Sequence, residues 1–135
     1  MRFAGLLIIL GIAAQAAEPA LSAAEKANIA RQIAAMRGPA DRHVAEGWTN
    51  AKKVAEYLCR PLALPELKKQ EKGADRVFLG TNAPETLTLE SNQRLVGTGT
   101  FRYPAGWKDF KFSCELNSAT GRATAFTATP LPANP

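Results

Sequence analysis

Residues 107–117 read "WKDFKFSCELN", and their polarity alternates with period two. Phe110, Phe112, Cys114 and Leu116 fall on one side of an extended chain, Asp109, Lys111, Ser113 and Glu115 on the other. A helix would scatter both sets around its circumference, whereas a strand with one buried face keeps them apart. The stretch before it, "RLVGTGTFRY" (94–103), is a second strand, joined through the tight turn "PAG" (104–106). Upstream lie two short strands, "DRVFLG" (75–80) and "TLTLE" (86–90), with "TNAPE" and "SNQ" as turns; downstream, "SATG" turns the chain into "RATAFTAT" (122–129). Four or five strands with short connections make an antiparallel meander with one buried face.

Before Gly73 the period is helical. Ser22-Ala-Ala-Glu25 is a capping box, and the helix it opens is expected to run to about Arg37, where Gly38-Pro39 ends it. Ile29, Ile33 and Met36 share a narrow, Ala-rich face, so this helix is expected at the periphery of the core. Ala51, Val54, Ala55, Leu58, Cys59 and Leu62 recur at the spacing of a second amphipathic helix. Pro61 is expected to end it within a residue or two, and Pro65 to begin a short third helix stopped by Gly73. The fold class these patterns predict is α+β, with N-terminal helices packed on one face of a four- to five-stranded antiparallel meander sheet. The expected division is 1–16 a signal peptide, 17–50 an N-terminal helical segment, 51–129 the α+β domain and 130–135 a Pro-rich tail.

The signal-peptide reading rests on Arg2, the apolar run from Phe3 to Ala14, and the small-x-small sequence Ala14-Gln15-Ala16. The run is short of the roughly 20 residues that span a bilayer, and no stop-transfer pattern follows. The mature chain is expected to start near Ala17, with no membrane span, in the periplasm or outside the cell. Sixteen Lys and Arg then face 12 acidic residues, a mild bias that permits anionic partners without demanding them. The basic residues are dispersed and match no nucleic-acid-binding motif, so nucleic acid is excluded as an expected partner.

Cys59 and Cys114 are an even pair in a chain read as exported, which favours one disulfide. A metal pair would want more Cys or His nearby than the lone His43, and a redox pair would favour C-x-x-C spacing. Cys59 lies on the apolar stripe of the second helix and Cys114 on the inward row of the best strand. A bridge between them would pin helix to sheet.

Catalytic motifs are missing: the sequence has no phosphate-binding glycine loop, zinc-protease helix or nucleophile elbow. Gly97 and Gly99 lie inside a strand pattern, where they mark a bulge or make room for a side chain such as Trp107 to cross the strand. His43, with Asp41, Glu46 and Trp48 nearby, reads as a surface residue, and Trp48 as packing at a helix junction. No cofactor and no metal site is expected, and the chain is read as a non-enzyme. The candidate binding surface is the outer face of the 94–117 hairpin: Arg102, Trp107 and Lys111. There the Arg102 guanidinium is expected to stack on the Trp107 indole.

A Cys ending a helix (Cys59), "DRV" opening a strand (Asp75-Arg76-Val77), and then "GTGTFR…GWKDFKFSCELN…TGRATAF" resembles the bacterial domain-of-unknown-function family numbered 930. The resemblance covers about residues 55–128 and is most specific from Trp107 to Cys114, with Phe101-Arg102 before it. Residues 17–50 lie outside it, and Ala123 stands where the family's closing strand has Val. It implies a paired Cys and an exported domain, and brings no activity, substrate or catalytic residue. The functional expectation is therefore a periplasmic binding or interaction domain, its partner a periplasmic protein or an anionic envelope component. The alternative is a secreted inhibitor of a cell-wall hydrolase.

Overall fold

The computed structural model describes residues 17–81 and 83–132; the expected signal segment, 1–16, and the end of the Pro-rich tail lie outside the described residues. Helix α1 (Ala23–Ala34) starts as its capping box predicts. Glu25 N donates to Ser22 Oγ at 3.1 Å while Ser22 N donates to Glu25 Oε1 at 2.9 Å. It ends at Ala34, earlier than Arg37. Gly38 and Pro39 then open a helix that the sequence reading did not anticipate, α2 (Pro39–Glu46). Proline's preset φ and missing N–H suit a first helical turn, so the dipeptide that ends one helix starts the next. Ile29 and Ile33 are buried in the common core, which makes α1 part of that core rather than its periphery.

Helix α3 (Asn50–Val54), a π turn (Ala55–Cys59) and α4 (Arg60–Gln70) form one continuous helical run. The expected break at Pro61 and restart at Pro65 do not occur; Pro65 lies inside α4. The π turn is the reason. Pro61 has no N–H to give the Tyr57 carbonyl four residues back, and the widened turn sends the Arg60 N–H to Ala55 instead. The stranded Tyr57 carbonyl accepts from Gln32 Nε2 of α1 at 2.9 Å. One inserted residue also shifts the phase of the apolar stripe. Ala51, Val54, Ala55, Leu58 and Cys59 are buried as expected, but beyond the turn the buried positions are Ala63 and Leu67, with Leu62 only partly covered.

The five strands are β1 (Arg76–Leu79), β2 (Leu87–Ser91), β3 (Arg94–Tyr103), β4 (Gly106–Asn117) and β5 (Arg122–Pro130), all antiparallel. The order is β1-β3-β4-β5, with β2 also pairing β3. β1 pairs with residues 99–102 of β3 and β2 with residues 94–97, so the two short strands lie end to end along one long one. The α+β class with helices on one face is as expected. The inner row of β4 is Phe110, Phe112, Cys114 and Leu116, all buried. Cys59 of the π turn is bonded to Cys114, with Cα atoms 6.1 Å apart, joining helix to sheet centre.

Gly97 and Gly99 do make room for aromatic rings, but on the inner face. A Cβ at Gly99 would lie 2.5 Å from Phe110 Cζ and 2.6 Å from the Phe78 carbonyl oxygen; one at Gly97 would lie 3.2 Å from Phe112 Cε1. The rings crossing β3 are thus Phe110 and Phe112, not Trp107, because residues opposite one another in register share a face and these are the register partners of the two glycines. Residues 17–50 are tied to the rest at several points. Glu18 accepts from the backbone of Asn50 and Ala51, each at 2.9 Å, and Asn28 Nδ2 donates to the Gly121 carbonyl at 2.9 Å.

Candidate functional site: the outer face of the sheet

With helices and disulfide on the inner face, the residues of opposite parity on β1, β3 and β4 form the outer face. Its register brings Arg102 directly opposite both Arg76 and Trp107, and Thr100 opposite both Phe78 and Asp109. Trp107 and Phe78, on the strands either side of β3, lean together across it. Their ring centroids are 5.9 Å apart with planes 22° from parallel, a stacked pair. They remain 50% and 42% exposed, and with Val44 are the exposed large apolar side chains among the described residues. Single exposed apolar residues are ordinary, but two stacked on an uncovered face are not a by-product of core formation.

Arg102 and Trp107 are brought together as expected, but the expected guanidinium–indole stack is not made. Asp75, at the entrance to β1, holds Arg102 in a bidentate pair, Nε to Oδ1 at 2.9 Å and Nη2 to Oδ2 at 2.8 Å. A planar fork matched to a carboxylate outcompetes an exposed ring for the same cation. Trp107 takes Phe78 instead, and Arg60 of α4 lies over Phe78, 5.8 Å from its centroid. Lys111 is four residues further along β4, about 13 Å at the usual rise, opposite Thr98. It does not join the Arg102–Trp107 group.

Phe78 and Asp75 are the neighbours that sequence reasoning missed; alternation alone puts Asp109 on the Trp107 side of β4. In "DRVFLG" the inward pair is Val77 and Leu79, so parity alone places Arg76 and Phe78 outside. What parity does not reveal is that β1, not β2, lies beside the Trp107 end of β3. The electrostatics follow from the same pairing. Hydrogen bonds from Arg102 hold the Asp75 carboxyl below the ordinary carboxylate range, helped by the nearby charges of Arg102 and Arg76, and the Arg102 guanidinium is raised in turn. Both groups are exposed, so the pair orders the corner more than it stabilises the fold.

Next to the aromatic pair is a shallow cavity of about 260 Å³, lined by Thr81, Thr98, Thr100, Asp109 and Leu131 among others. Thr100 Oγ1 is occupied by the Lys108 carbonyl at 3.1 Å. His43 is exposed on α2, and among the described residues no group of three or more His, Cys, Asp or Glu is placed to hold a metal ion. Among them, too, no helix is long and apolar enough to cross a membrane. Compared with protein-family models, curated proteins and solved structures, the chain matches none of them.

Proposed function

We propose that the chain is an exported, non-enzymatic binding domain working in the periplasm or outside the cell; the resemblance to family 930 bears on the export and the paired cysteines alone. Export is supported by the charged–apolar–small pattern of residues 1–16 and by the Cys59–Cys114 bond, which persists in oxidising compartments. The working surface is the outer face of β1, β3 and β4. The observation that carries this reading is the stacked, half-exposed Trp107–Phe78 pair on the face that helices leave uncovered. Rigid amphipathic rings left in water at a fixed position are what binding surfaces use as anchors. Arg102, locked to Asp75, frames the anchor rather than capping it.

The test uses the mature, oxidised protein and envelope fractions of the producing cell. Wild type is retained, and the Trp107→Ala/Phe78→Ala variant, with unchanged thermal stability, is released. Equal retention of both overturns the assignment of the face. Mass spectrometry of the exported protein should find a chain starting near Ala17 with no free thiol; two free thiols in that protein would contradict an oxidising destination.

A further inference from the structure

Resting on that reading of the outer face, we infer that its ligand is an uncharged glycan strand, with one pyranose ring seated on Trp107 and its hydroxyls bonded beside it. The geometry offers what a sugar ring needs. One side of a pyranose is a sheet of C–H bonds, weakly positive, and it packs on the negative face of an aromatic ring. Phe78 is the one ring stacked on Trp107, and no cation lies over the indole among the described residues. The rim of a sugar is hydroxyls, and the groups next to Trp107 suit them. Asp109 is on the same face two residues along β4, about 7 Å away. Among the described residues its carboxylate makes no ion pair and accepts no side-chain hydrogen bond. Thr98, whose hydroxyl is likewise uncommitted among the described residues, lines the same cavity.

Charge argues for a neutral ligand. Asp75 is paired with Arg102, Asp109 and Lys111 offset one another two residues apart on one face, and Arg60 over Phe78 is paired with Glu56 at 2.8 Å, so that among the described residues around the pair Arg76 is the excess charge. An anionic polymer would find little field to follow. A protein partner fits less well. A standard interface needs roughly 800 Å² per side with an apolar centre, and the neighbours of the aromatic pair on this face are polar: Thr100, Asp109, Arg102 and Arg76.

The experiment titrates the mature oxidised protein with a neutral β-1,4-linked hexamer of N-acetylglucosamine and with cellohexaose. Polygalacturonate is the anionic control, and the readout is calorimetry and amide chemical shifts. Binding of a neutral oligosaccharide is expected, with shifts at Phe78, Trp107 and Asp109, at least tenfold weaker in Trp107→Ala and weaker in Asp109→Asn, which leaves the aromatic pair in place. Tighter binding of polygalacturonate than of either neutral chain overturns the neutral-ligand inference. So does Trp107-dependent retention on envelope fractions that survives glycan digestion and is lost on proteolysis; that outcome leaves the binding face standing with a protein on it. Absence of any Trp107-dependent retention removes the face and the glycan together.

Discussion

Gly99 is a residue at which the sheet has little tolerance. Any side chain there meets the Phe110 ring and a β1 carbonyl at once, and the carbonyl cannot move without breaking the β1–β3 ladder. Gly99→Ala is expected to cost about 2–3 kcal/mol, the upper part of the usual overpacking range, measured as a lower urea midpoint at unchanged m-value. Asp75 makes the opposite prediction, small in energy and visible in pH. Its folded carboxyl is held below the unfolded one, chiefly by hydrogen bonds from Arg102. Its contribution is therefore complete above the ordinary carboxylate range and disappears as pH falls through the lowered folded value. The melting-temperature gap between wild type and Asp75→Asn should be widest near neutrality and close in acid. A gap that stayed constant down to the most acidic conditions would show that Asp75 gains nothing from Arg102.

At the scale of elements, the helical run 50–70 is the instructive case. A proline that should have ended a helix is absorbed by a π turn, and the orphaned Tyr57 carbonyl is satisfied from another helix by Gln32. Gln32→Leu leaves that carbonyl without its partner and is expected to cost about 1–2 kcal/mol, read by chemical denaturation. Combining it with Pro61→Ala, which restores a local N–H donor, should recover part of the loss. Strict additivity of the two substitutions would show that Gln32 does not compensate for the proline. The π turn has a second effect. By moving the apolar stripe one residue, it buries Ala63 and Leu67 and leaves Leu62 partly covered. Periodicity located this helix and its thiol correctly, and failed only beyond the insertion, where an unbroken 3.6-residue count no longer applies.

For the whole molecule, the Cys59–Cys114 bond closes a separation of 55 residues between the helical layer and the middle of the sheet. The chain-entropy account of a loop this long gives about 4 kcal/mol. Cys59→Ser/Cys114→Ser should therefore lose about 2–4 kcal/mol, with wild type losing a similar amount when reduced; reduction without effect on the melting temperature would remove the bond from the fold's stability. Much of this architecture is local chemistry and could be read from residues alone. Two-residue alternation separates Phe110, Phe112, Cys114 and Leu116 from their polar neighbours, turn residues delimit β3, β4 and β5, and two independent periodicities aim both cysteines at one core. Lateral arrangement is not local. That β1 rather than β2 lies beside the end of β3, that Phe78 therefore reaches Trp107, and that Asp75 therefore takes Arg102 all depend on which strands become neighbours. Strand order is settled by how the helices and the long β3 share one buried face. The candidate surface was visible as Arg102 and Trp107 on one side of a hairpin; its working form, an aromatic pair beside a neutralised arginine, exists only once the chain has folded across that hairpin's edge.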